Sequence, residues 1–303
     1  MIAFCFPGQG SLEEGMGREI AEAVPEAMEV FQVGSDASGL DLRRLCFEAP
    51  LHELVRTDVQ QPALVATSLA VLAALRSRGI APDYVVGHSV GEFAAIAAAS
   101  SIDTGSALAL VRERGLAMAE AAQESDGTMA AILGLDDEVV EALCSEIEGV
   151  WPANYNCPGQ IVVSGEEEAV EELISRASLL GAKRTVRLKV SGAFHSPLVA
   201  KAAERLKPAV DKVRFADPVA PFMSTVTAKI EPAQRMAGLL VEQITAPVKF
   251  THAAHGLVKE GVKTFVEVGP GNVLSGLVKR IDRSVRTVSV SNLAGLRKAE
   301  ETI

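Results

Sequence analysis

Tyr84-Val85-Val86-Gly87-His88-Ser89-Val90-Gly91 is the stretch on which the reading of this chain turns. An apolar, strand-forming run enters a serine between two glycines, and an alanine-rich stretch with helical spacing follows. That is the sequence form of a nucleophile elbow, a tight strand-to-helix turn that pushes one hydroxyl clear of the backbone. The glycines matter because the strained serine brings neighbouring chain very close, where a Cβ on either side would collide. Beyond the turn, the next helix aims unpaired N–H groups and a partial positive charge at the same spot. Ser89 is therefore the candidate acyl-accepting nucleophile; a plain β-to-α packing turn is the rival use of the same residues.

Working outward, residues 2–6 read as a strand, followed by the loop Pro7-Gly8-Gln9-Gly10-Ser11 and a helical region. The spacing of Ala63, Leu64, Ala66, Leu69, Leu72 and Ala73 predicts a buried helix over 62–75 that ends near Gly79. Asp103 is placed to cap a helix running through Leu108, Val111 and Met118. Strands alternating with longer helices predict a parallel sheet covered on both faces. Between about 128 and 190 the pattern changes to a strand at 129–133, a helix from Asp136, strands at 151–154 and 161–163, a helix over 167–180 and a strand at 185–190. That β-α-β-β-α-β order fits a small ferredoxin-like sheet. It reads as an insertion, because the α/β pattern resumes at 265–268 and 285–290. Glu166-Glu167-Glu168 is expected to be an exposed first helical turn rather than a metal site.

Composition sets broad bounds. With 303 residues, 48% of them hydrophobic, the chain can bury a large core and is not wholly disordered. A net charge of −10 argues against the nucleic-acid backbone as a general partner. Cys5, Cys46, Cys144 and Cys157 are too dispersed for a CxxC motif and read as free buried thiols in a reducing compartment. The first residues form a strand with no basic or long apolar segment before it, and no uninterrupted apolar run has membrane length. A soluble cytoplasmic protein is the expectation.

A serine nucleophile needs a base. His195, in Ser191-Gly192-Ala193-Phe194-His195-Ser196-Pro197, lies in a short glycine-containing loop between the small sheet and the next helix, where a side chain can be directed into a cleft. Its Nε2 would take the Ser89 proton during attack and return a proton to a departing or incoming thiol. Nothing acidic nearby imitates a third triad member, so a backbone carbonyl is the expected tautomer-fixing acceptor, with Asp211 and Asp217 as surface alternatives. Arg112 and Arg114 cannot share a helix face, since a two-residue step turns the side chain by about 200°. Beside Gly115 and Ala117, Arg114 is the better buried candidate. It needs either an internal glutamate or a substrate carboxylate, which a guanidinium grips with a planar fork.

With GQGS, GHSVGE, RG, GAFHS and GPG in one chain, residues 1–296 closely resemble bacterial malonyl-CoA:acyl carrier protein transacylases and the acyltransferase domains of fatty-acid and polyketide synthases. The resemblance implies an α/β-hydrolase-like large domain, residues 1–126 and 197–303, with an inserted ferredoxin-like small domain, residues 127–196. It implies Ser89 and His195 as catalytic residues, with Gln9 and Val90 supplying oxyanion-hole N–H groups. Arg114 would bind the free malonyl carboxylate, and the backbone carbonyl of Gln243 would orient His195. Met118, Asn154, Asn156 and Phe194 would line the substrate site. The Phe194 ring would fill the volume that an α-methyl needs, favouring malonyl over methylmalonyl by about 1–3 kcal/mol.

Malonyl-CoA and holo acyl carrier protein are the implied partners, the latter carrying the phosphopantetheine. No tightly bound cofactor, metal, nucleic acid or membrane is implied, and a monomer is expected. Lys183, Arg184, Arg187 and Lys189, or else Lys279, Arg280 and Arg283, are candidate docks for the acidic carrier. Two features depart from the family pattern: Val90 replaces the commoner Leu, and Ala99-Ser100-Ser101 stands where many relatives have a glycine-containing turn. Rival expectations are a thioesterase or lipase-like hydrolase, a transacylase of different acyl preference, and a non-catalytic carrier-binding subunit.

Overall fold

A computed structural model of the chain describes residues 1–124 and 126–303. Its strands are β1 (Ile2–Phe6), β2 (Tyr84–Gly87), β3 (Gly127–Leu133), β4 (Val150–Cys157), β5 (Gln160–Glu166), β6 (Arg184–Arg187), β7 (Phe222–Met223), β8 (Ile230–Glu231), β9 (Thr264–Val268) and β10 (Arg286–Val290). They make a mixed α/β molecule with two sheets. The larger runs β10-β9-β1-β2-β7-β8 and is parallel except for β8, which pairs antiparallel with β7. The smaller is antiparallel in the order β4-β5-β3-β6.

Side-chain alternation explains why both faces of the large sheet are covered. Phe4 and Phe6 point into one apolar cluster with the helix Thr57–Ser77, whereas Ala3 and Cys5 point into another with the helices Phe250–Lys259 and Val273–Ile281. On the small sheet, Ile132, Ile161 and Val163 pack with residues of the helices Asp137–Glu146 and Glu167–Leu179, such as Val140 and Leu173. Met129, Ala131 and Val162 on its other face join the main cluster. The two sheets thus share one apolar interior.

The predicted buried helix is longer than its apolar core, spanning Thr57–Ser77 with Pro62 inside it. At 21 residues and a mean hydropathy of 1.3 it has the length and composition of a membrane span, but 89% of that window is buried in the protein. Asp103 caps the helix Thr104–Gln123 by accepting from Ser106 N–H at 2.8 Å.

Several boundaries differ from the sequence expectation. The strand expected at 185–190 stops at Arg187, because after Leu188 N–H bonds Met129 O the chain turns away to line a cleft. The strand expected at 151–154 extends over Val150–Cys157, with irregular register around Pro152 and Tyr155. Strands β7 and β8 are two residues each, too short to leave a periodic signal. Cys5, Cys46 and Cys157 are buried free thiols, while Cys144 is half-buried.

Candidate active site

Because β1 and β2 pair in parallel with Phe6 opposite Gly87, the loops leaving their carboxyl ends emerge side by side. One carries Gln9 and the other carries Ser89. Their contact is close enough to forbid side chains. A Cβ on Gly91 would sit 2.1 Å from Phe6 O, and one on Gly87 would sit 2.1 Å from Glu92 N. Ser89 itself takes a left-handed φ of 53°, the strained elbow conformation, and Val90 caps the helix Gly91–Ala98 that follows.

His195 also has a left-handed backbone, φ 59°, which turns its imidazole back toward the elbow. Ser89 Oγ donates to His195 Nε2 at 2.8 Å. The opposite ring nitrogen, Nδ1–H, donates to the backbone carbonyls of Gln243 at 2.8 Å and Ala246 at 3.1 Å. These carbonyls leave Nε2 with the lone pair facing the serine. Asp211 and Asp217 are exposed, and Asp211 accepts from Lys207 instead, so neither orients the histidine. Burial, reinforced by the nearby Arg114 charge, pulls the His195 pKa down to about 3. The resting imidazole is neutral and ready to accept a proton.

The two arginines separate as their spacing requires. Arg112 reaches the Asp58 carboxylate at 3.1 Å near the surface, whereas Arg114 is fully buried. Arg114 Nη2 donates to Ser89 Oγ at 3.2 Å and to Gln243 Oε1 at 2.9 Å, and Nη1 donates to Gln61 Oε1 at 2.6 Å. Its carbon sits 5.9 Å from the Phe93 ring centroid, within cation–π range. Burial lowers its pKa to about 9, and Glu92 partly offsets the shift, so the guanidinium is still charged at neutral pH. Among the described residues no group accepts from its buried Nε.

The other expected residues fall into two groups. Phe194 and Gln9 line a cleft of about 500 Å³, together with Thr57, Gln60, Leu188 and Lys189. Gln9 Nε2 donates to Gln60 Oε1 at 2.7 Å, so its side chain is tied to the cleft wall. Met118 is fully buried and contacts Gln61, whose Nε2 lies 3.5 Å from its sulfur. Asn156 Oδ1 contacts His88 Nε2 at 2.9 Å. Asn154 is a backbone bridge partner of Val248, and among the described residues no hydrogen bond joins its side chain to Ser89 or His195.

Four functional neighbours escaped the sequence reading. Gln61 lies in an otherwise apolar helix, an anomaly that signals a buried polar task. His88 is buried beside Ser89, and burial lowers its pKa. Glu92 is wholly buried, with Thr225 N–H, Thr225 Oγ1 and Ser224 Oγ donating to Oε1 at 2.6, 3.0 and 3.2 Å. Its place in the first helical turn resembles an ordinary dipole-complementing acid, which hid it. The Gln243 side chain was missed as well, the expectation having concerned only its carbonyl.

A strained serine hydroxyl on a fixed neutral imidazole, at the amino end of a helix, is the equipment of an enzyme that passes an acyl group through a serine ester. The acyl transferase domain model matches residues 3–302, and the chain belongs to that family. The malonyl CoA-acyl carrier protein transacylase of Bacillus subtilis (strain 168) is 43% identical over 307 residues, covering 100% of this chain and 97% of that protein. The transacylase of the same name from Staphylococcus aureus (strain MRSA252) is 37% identical over 300 residues, covering 97% of each. Among solved structures, a malonyl-transacylase in complex with its type II PKS acyl-carrier protein is 38% identical with a TM-score of 0.96, covering 100% of this chain and 99% of that one. The Coxiella burnetii transacylase superposes with a TM-score of 0.96 at 35% identity, covering 99% of this chain and 96% of the other.

Proposed function

We propose that this enzyme moves a malonyl group from malonyl-CoA, through an ester on Ser89, to the phosphopantetheine thiol of holo acyl carrier protein, supplying fatty-acid or polyketide synthesis. The observation that carries this reading is the convergence on one hydroxyl of a neutral imidazole at 2.8 Å and a buried guanidinium at 3.2 Å.

Ser89 Oγ attacks the thioester carbonyl as its proton passes to His195 Nε2, and the carbonyl electrons become an oxyanion. The N–H groups of Val90 and Gln9 stabilise that oxygen only as charge develops, so they lower the barrier rather than merely tighten binding. Collapse breaks the C–S bond, and the imidazolium returns its proton to the CoA thiolate. The carrier thiol then repeats the cycle in reverse, losing its proton to His195 and releasing Ser89. Arg114 meets the far carboxylate and holds the malonate in one pose. Phe194 limits the room beside the acyl carbon, and Met118, Asn154 and Asn156 shape the surroundings.

The finer architecture follows the same reading: an α/β-hydrolase-like domain of residues 1–126 and 197–303, and a ferredoxin-like domain of residues 127–196 that carries the chain to His195. We take the protein to be a cytoplasmic monomer that needs no tightly bound cofactor or metal and engages neither membrane nor nucleic acid. Arg187 is engaged by Glu167 and Glu171, and Arg280 donates to Gln160 Oε1, so these two are less available as docking charges. Lys183, Arg184 and Lys189 are exposed, and Lys189 stands at the cleft.

Intact-mass measurement tests the core of this reading. Wild-type protein mixed with malonyl-CoA gains one malonyl group, Ser89→Ala gains none, and acetyl-CoA loads far more slowly. Equal loading by acetyl-CoA would remove Arg114 as the selector.

A further inference from the structure

Gln243 serves the site through two separate parts. Its backbone carbonyl holds His195, while its side chain spans Glu92 and Arg114. Glu92 Oε1 is occupied by the Ser224 and Thr225 donors, and Oε2 accepts from Gln243 Nε2 at 2.7 Å. Arg114 offers only donors, so the amide must turn its oxygen toward Arg114 and its NH₂ toward Glu92. That oxygen then receives Arg114 Nη2 at 2.9 Å. Glu92 Oε2 meets the NH₂ at the other end, so the amide is anchored in this one orientation from both sides.

The intervening amide also keeps Glu92 off the guanidinium. Every acceptor that hydrogen-bonds Arg114 among the described residues is neutral: Gln61 Oε1, Ser89 Oγ and Gln243 Oε1. A buried guanidinium is more commonly satisfied by a carboxylate in direct contact. Here such a contact would claim the fork before substrate arrived.

We propose that Glu92, acting through the Gln243 side chain, is a positioning and specificity-determining residue: it aims Arg114 while leaving the guanidinium without a bonded carboxylate, the partner that the malonyl group supplies. The inference rests on the reading of Arg114 given above.

Two variants change the relay at opposite ends. In Glu92→Gln, the oxygen facing Ser224 and Thr225 is retained and an NH₂ replaces Oε2. The Gln243 amide can then satisfy either Arg114 or residue 92, but not both, and loses its fixed orientation. In Gln243→Glu, a carboxylate meets Arg114 directly while the backbone carbonyl to His195 is kept. Both raise the KM for malonyl-CoA by about ten- to hundredfold, the worth of one hydrogen bond to a charge. Acetyl-CoA loading, which presents no free carboxylate to Arg114, is expected to fall at least about tenfold less than malonyl-CoA loading in the same proteins.

An unchanged malonyl-to-acetyl preference in either folded variant overturns the proposal, as does an equal loss for both substrates, the mark of a merely structural role. Should one variant fail to fold, the other decides. If wild-type protein already fails to discriminate, the reading of Arg114 itself falls; if it discriminates and the variants still do, only the Glu92 relay falls.

Discussion

His195 is held neutral by its surroundings, and this has a measurable sign. Its folded-state pKa of about 3 lies below the ordinary 6.5, so between those values the unfolded chain binds a proton that the folded one does not. Its contribution to stability is full above pH 6.5 and is lost as the pH falls toward 3. Glu92 acts in the opposite sense: burial raises its carboxyl from 4.5 to about 7, so its folded form favours the proton over that window. Comparing variants isolates the histidine. Urea unfolding of His195→Asn between pH 6.5 and 4 is expected to lose less stability on acidification than wild type, and identical slopes would contradict the buried neutral imidazole. The elbow glycines belong to the same scale, since the backbone of Phe6 occupies the space that a side chain on Gly91 would need.

Elements explain which features were readable beforehand. The helices Thr57–Ser77 and Thr104–Gln123 are long enough for their apolar spacing to dominate, and the two-residue step between Arg112 and Arg114 fixes opposite faces without coordinates. The elbow was legible because its glycines answer a local steric demand. Gln61 and Glu92 were not, because their partners lie 53 and 133 residues away in sequence, beyond any local pattern. The turn after the helix Gly91–Ala98 gives a test at this scale. Ser100 takes a left-handed φ of 62°, a conformation that glycine adopts without a Cβ penalty. Ser100→Gly removes the Cβ penalty and is expected to stabilise the protein by about 1 kcal/mol, read from the urea midpoint at unchanged slope. A lower midpoint would mean that the 3.5 Å contact from Arg76 to the Ser100 hydroxyl outweighs backbone strain.

Across the molecule, charge and connectivity matter more than any single contact. The chain carries a net −10, so an acidic partner must meet a local positive surface. Lys183→Ala combined with Arg184→Ala is expected to raise the KM for carrier protein severalfold at low salt, to flatten its ionic-strength dependence, and to leave loading from malonyl-CoA unchanged. No change in the carrier half-reaction would eliminate that patch. The small sheet is also tied to the segment after the helix Ala233–Glu242: Tyr155 N–H donates to Val248 O at 2.9 Å, and Val248 N–H donates to Ala153 O at 2.8 Å. Five residues before Val248, Gln243 holds the imidazole. A chimera that transplants residues 127–196 from another enzyme must therefore bring its own counterpart of 243–248. Grafted without it, the foreign strand would dock on a mismatched ledge and tilt the imidazole away from Ser89.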